Sequence, residues 1–154
     1  MSKVLDNIKK RAAALGKTIV LPEGEDNRVV KAAAESVKEG IAKIVLLGNE
    51  NEIKINNPDV DLAGVTIVDP LKSDKFEAYA DLLYDLRKEK GMTPELARDT
   101  LKKDYTMFGA LMLKAGDVDG MVSGACHSTA NTLRPGLQVI KTAKGTPIVS
   151  AYFL

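Results

Sequence analysis

The feature that most constrains this chain is a rhythm of short, continuously apolar runs, each closed by glycine, proline or aspartate, with helix-period segments between them. The runs are Thr18-Ile19-Val20-Leu21, Ile44 to Leu47 and Val65-Thr66-Ile67-Val68, with Val118 to Val122, broken by Asp119, as a fourth strand candidate. A strand wetted on one side alternates apolar with polar residues, so runs apolar throughout read as strands covered on both faces. Strands that alternate with helices in this way make a mostly parallel sheet. The expected fold class is α/β, a three-layer sandwich with helices on both faces of the sheet. The 154 residues hold no repeat, low-complexity tract or Ser/Gly-rich linker, so one core is expected.

Helical spacing of Val4, Ile8, Ala12 and Leu15 predicts a helix over 3–15, stopped by Gly16. Asp26 can cap a second helix that turns Val29, Ala33 and Val37 inward and ends before Gly40. A weakly helical stretch follows over 50–55. Three helical patterns then come in succession: 75–90, 94–103 with Thr93 as cap and Pro94 in first position, and 105–115. A last helical stretch is expected to end before Gly145. Ile148 to Leu154 is a fifth strand candidate whose apolar side chains need cover from further chain. Residues 1–147 are therefore expected to form an amino-terminal domain and 148–154 the truncated start of a second.

Composition narrows the function classes. A formal net charge of +1 gives no one-signed field to draw in a polyanion, so nucleic acid is not an expected partner. The single cysteine, Cys126, cannot form an internal disulfide, which fits a reducing, cytoplasmic compartment and supplies no ligand cluster for zinc. No metal is expected. Residues 1–11 lack the apolar block of a signal peptide, and no segment is apolar enough to span a bilayer. Neither a Gly-x-Gly-x-x-Gly, a Gly-x-x-x-x-Gly-Lys-Ser/Thr nor a Gly-x-Ser-x-Gly pattern occurs. His127 stands beside Cys126, and neighbouring side chains diverge, so a small buried thiol is the stronger reading than a Cys-His pair. Capping and dipole complementarity account for Glu23, Glu25 and Asp26 more economically than metal ligation does. Turn chemistry suffices for Asp117 and Asp119.

The informative stretch runs from Met121 through Ser123-Gly124-Ala125-Cys126 into His127-Ser128-Thr129-Ala130-Asn131-Thr132-Leu133-Arg134-Pro135-Gly136-Leu137. A buried strand leading through small residues into hydroxyls and amides is how α/β folds place ligand groups beyond the carboxyl ends of strands. If a helix starts near Ser128, its free N–H groups, Thr129 and Asn131 can meet a phosphate, with Arg134 nearby. Plain capping weighs equally for Ser128 or Thr129 taken singly, and Pro135 leaves the start of the helix open. Arg87 continues the inward stripe of Phe76, Ala80 and Leu83. Taken alone, that guanidinium snorkels to solvent more readily than it enters a cleft.

Leu21-Pro22-Glu23-Gly24-Glu25-Asp26-Asn27-Arg28, Thr106 to Met112, Asp117 to Gly124 and, most specifically, His127-Ser128-Thr129-Ala130-Asn131-Thr132-Leu133-Arg134-Pro135 resemble the phosphate acetyltransferase (phosphotransacetylase) family, with phosphate butyryltransferase as a close relative. The resemblance spans the whole chain. It implies transfer of an acetyl group between coenzyme A and inorganic phosphate, giving acetyl phosphate, with coenzyme A as substrate and no cofactor. It also implies cytoplasmic homodimers of two-domain subunits, and it matches Arg87 and Arg134 to the family's substrate-binding arginines. An aspartate that takes the proton from the coenzyme A thiol, and a serine and an arginine that steady the transition state, belong to the family's carboxyl-terminal part. No positions here match them, so the chain is expected to be the amino-terminal portion and inactive alone. Phosphate butyryltransferase and a stand-alone, non-catalytic phosphate- or nucleotide-binding module remain the alternatives.

Overall fold

A computed structural model describes residues 3–146 and 148. Four strands, β1 (Thr18–Leu21), β2 (Lys43–Leu47), β3 (Thr66–Val68) and β4 (Gly120–Met121), form one sheet in the order β3-β2-β1-β4. Every pairing is parallel: Leu21 lies opposite Leu46, Leu47 opposite Val68, and Val20 opposite Met121. The described residues also form seven α-helices, α1 (Lys3–Leu15), α2 (Asn27–Lys38), α3 (Glu50–Asn56), α4 (Phe76–Arg87), α5 (Pro94–Lys103), α6 (Tyr105–Ala115) and α7 (Thr129–Pro135). This is the expected three-layer α/β sandwich.

Because successive strand residues point to opposite faces, the apolar runs feed two cores. Val20 and Leu47 join Leu83, Leu101, Phe108 and Leu111 under α4, α5 and α6. Leu21, Ile44 and Leu46 join Val30, Ala33 and Ile53 under α2 and α3. Close packing depends on small residues at two points. A Cβ on Gly24 would sit 2.3 Å from the carbonyl oxygen of Leu47, and one on Gly109 would meet Met121 Sδ at 3.2 Å.

Helix boundaries follow their caps. The Asp26 side chain accepts from Arg28 N–H, that of Thr93 from Leu96 N–H with Pro94 next to it, and that of Asp104 from Met107 N–H. The stripe of α4 points inward as expected, with Ala80 and Leu83 buried and Arg87 half-buried at its end. Helix α1 forms where its spacing predicts, yet none of its residues is buried and Leu15 is 67% exposed.

One expected boundary differs from the structure. The fourth strand is shorter than the apolar run Val118 to Val122, because only Gly120 and Met121 pair with β1 before the chain leaves the sheet, and Val122 is exposed. The last helical stretch ends at Ile140, before Gly145 as expected. After Pro135, which has no N–H to offer, the helix widens into a π turn over Gly136–Ile140, closed by Lys141 N–H to Gly136 C=O at 2.8 Å. Of the fifth strand expected over 148–154 only Ile148 is described, in an exposed bend. The rest of that expectation, and the domain boundary placed there, lie outside the described residues.

Candidate functional site

In a parallel sheet all strands end at one edge, and ligands are met where the strand order reverses. Here the chain passes from β1 outward to β2 and β3 and later returns to the other side of β1 as β4. The loops after β1 and β4 therefore face one another. Glu23, in the first loop, is 1% exposed and inserts its carboxylate into the second. Oε2 accepts from the N–H groups of Gly124 at 2.7 Å and Ala125 at 3.0 Å, and Oε1 from those of Cys126 at 3.0 Å and His127 at 3.3 Å. Burial alone would raise its pKa, but the N–H groups of Ala125, Cys126 and Gly124 outweigh that and hold it at about 2.

Glu23 is thus no capping acid, and local pattern does not reveal this: the neighbouring Asp26 does cap, as expected, and the two look alike in the chain. Cys126 is also corrected. It is exposed rather than buried, because the Glu23 clamp holds its backbone at the surface. Desolvation of the sulfur and the carboxylates of Glu25 and Glu23 push its thiol up to about 12, so it carries its proton at neutral pH and is no ready nucleophile. Asp117 and Asp119 do more than shape a turn. Asp117 accepts from Tyr79 Oη at 2.6 Å and from Lys75, while Asp119 accepts from Lys17 at 2.7 Å and Thr18 N–H at 2.9 Å.

Beside this clamp lies a cleft of about 290 Å³ walled by Glu25, Tyr105, Thr106, His127, Asn131 and Arg134. A second one of about 400 Å³, under the ends of β1, β2 and β3, shares Glu25 and Tyr105 with it. Burial first, then Asp69, Glu52 and Glu25, raise the Tyr105 pKa, so its hydroxyl stays protonated. Arg134 Nη2 donates to Asn131 Oδ1 at 2.9 Å, which fixes the guanidinium at the cleft wall. The start of α7, left open by the sequence, is settled: Ser128 is the cap, its Oγ accepting from Asn131 N–H at 3.3 Å, and Thr129 is the first helical residue. The arrangement can recognise an anion through a held guanidinium and an amide.

Ser128, Thr129, Asn131 and Arg134 are brought together on one short segment. Arg87 is not joined to them by any described contact. It lies at the end of α4, and its Nε is buried without a hydrogen-bond partner among the described residues. No helix among the described residues is long and apolar enough to cross a membrane.

Comparison with known proteins gives a consistent result. The phosphate acetyl/butaryl transferase family model matches residues 3–154. A phosphate acetyltransferase of Acetivibrio thermocellus is 57% identical over 150 residues, covering 97% of this chain and 45% of its own length. One from Thermoanaerobacterium thermosaccharolyticum is 49% identical, over 98% of this chain and 46% of its own. A phosphotransacetylase structure from Streptococcus pyogenes superposes with a TM-score of 0.85 at 37% identity, over 94% of this chain and 45% of that one. The chain spans about half the length of these relatives.

Proposed function

The chain belongs to the phosphate acetyl/butaryl transferase family, and from that premise we propose that it is the amino-terminal, substrate-recognising portion of a phosphate acetyltransferase. The reaction is acetyl-CoA plus phosphate giving coenzyme A plus acetyl phosphate. The observation that carries this reading is 57% identity to a phosphate acetyltransferase across 97% of the chain. The acetyl rather than butyryl assignment follows the name of that relative.

Arg134 and Asn131, with the exposed hydroxyls of Ser128 and Thr129 at the head of α7, receive a phosphate group of coenzyme A or the phosphate co-substrate. Arg87 supplies a second guanidinium to the same substrate. The groups that activate the coenzyme A thiol belong to the part of the relatives that this chain does not cover, and the chemistry needs no metal or redox cofactor. We place the protein in the cytoplasm, in acetate metabolism, as a homodimer at full length; sedimentation of the full-length protein checks the last point.

The purified chain is expected to form little or no acetyl phosphate from acetyl-CoA and phosphate, and robust turnover would refute the assignment of catalysis to the uncovered part. Calorimetric titration with coenzyme A tests recognition. Arg134→Ala is expected to weaken binding roughly 10- to 100-fold, the worth of one charge-assisted hydrogen-bonding group, and Arg87→Ala to weaken it as well. Unchanged affinity in both variants would remove the site.

A further inference from the structure

We propose that Glu25, Cys126 and His127, backed by Glu23, form a binding site for zinc or a similar thiolate-seeking divalent ion that clasps the loop after β4 to the loop after β1. The donors converge from two segments a hundred residues apart in the chain, because Glu23 holds the Gly124–His127 backbone against its own loop. Cys126 Sγ lies 3.5 Å from Glu23 Oε1 and 3.6 Å from Glu25 Oε1, and His127 Nε2 lies 3.0 Å from the same Glu25 oxygen. Donor atoms of Glu23, Cys126 and His127 all fall within 4.8 Å of one another. Two ligands of one tetrahedral zinc are separated by roughly 3.3–3.6 Å, given bonds of about 2.3 Å to sulfur and about 2.0 Å to nitrogen or oxygen. Small rotations of the exposed Glu25 and His127 side chains suffice to close the set.

Charge points the same way. Two carboxylates face the sulfur, and no lysine or arginine among the described residues hydrogen-bonds to either one. The nearby Arg28 is committed to Asp26 at 2.6 Å and to the carbonyl of Ala125 at 2.7 Å. A dication neutralises this deficit. It takes the place of the thiol proton, which leaves to water as the Sγ–H bond breaks and the Sγ–metal bond forms. A thiol, an imidazole and a carboxylate select zinc over magnesium, and Glu23, whose oxygens already accept four backbone N–H groups, holds the Cys126 and His127 backbone in place behind them. The ion would fasten two loops at the wall of the cleft that Glu25 and His127 share with Arg134, and take no part in acyl transfer; its test reads metal binding and does not depend on that reading.

The test is titration of the untagged, chelator-stripped chain with Zn²⁺ and with Co²⁺. Zinc is expected to raise the melting temperature where magnesium does not, and cobalt to show a sulfur-to-metal charge-transfer band. Cys126→Ser is expected to abolish that band and, like Glu25→Gln, to weaken zinc binding about tenfold or more, since losing a ligand costs at least what losing its outer-shell support does. Both positions are exposed, and unchanged metal-free melting of the variants shows that the fold is kept. Equal zinc affinity in wild type and both variants, or a cobalt complex without the sulfur band, would overturn the proposal.

Discussion

Replacing Glu23 with glutamine would keep the shape of the side chain and remove the charge on which four backbone N–H groups converge. Hydrogen bonds to a charged group contribute about 1.5–3 kcal/mol each, and part of that is lost when the acceptor becomes a neutral amide. Glu23→Gln is therefore expected to cost about 2 kcal/mol or more by urea unfolding. The same carboxylate predicts a pH dependence. Its pKa falls from 4.5 to about 2 on folding, so the stability it confers is complete above the higher value and drains away as the pH drops toward the lower one. Unfolding measured across that acidic window should show wild type losing more stability than Glu23→Gln. A flat wild-type profile would contradict the clamp. Glu23 lies in a segment that the family resemblance marks, but its clamping role is invisible in the chain, because its partners sit in a loop a hundred residues away. Arg134 and Asn131, by contrast, share one turn of one helix, so their proximity follows from their spacing in the chain.

Gly24 illustrates how elements, rather than single groups, fix the edge of the sheet. It donates its N–H to the carbonyl of Leu47 at 3.1 Å, and that contact leaves no room for a side chain. Gly24→Ala is expected to force β1 and β2 apart at their carboxyl ends, costing about 1–3 kcal/mol, as overpacking does elsewhere; thermal melting checks this. Element types were readable wherever local chemistry decided them. The caps of α2 and α5, the left-handed Gly16 after α1 and the apolar runs of β1 and β2 are all short-range signals. Boundaries were lost where distant groups decided them. Val118 to Val122 has the composition of a five-residue strand, yet the Glu23 clamp just beyond draws the chain off the sheet. Pro135 signalled a disturbance in the last helix without saying that a π turn would absorb it.

Across the whole molecule, the two cores share one thin sheet, so damage on either side should be felt by both. Phe108 is fully buried on one side and meets the ring of Tyr79 edge-on at 4.9 Å, while Ile53 is buried on the other. Phe108→Ala is expected to cost about 3–5 kcal/mol and Ile53→Ala about 2–5 kcal/mol, a large share of a domain's typical 5–15 kcal/mol. Calorimetry should find each variant melting in a single lowered transition. Two separate transitions would mean that the layers unfold independently.

The seating of Glu23 also decides what kind of welcome an incoming phosphate can receive. The crevice between the first and fourth strands, where many sandwiches of this type cradle a guest with bare amides, is already taken by an anion that never leaves. A second anion is thereby turned aside, and whatever greets it must be side chains, a guanidinium foremost, free to be exchanged or lost one at a time without unravelling the sheet.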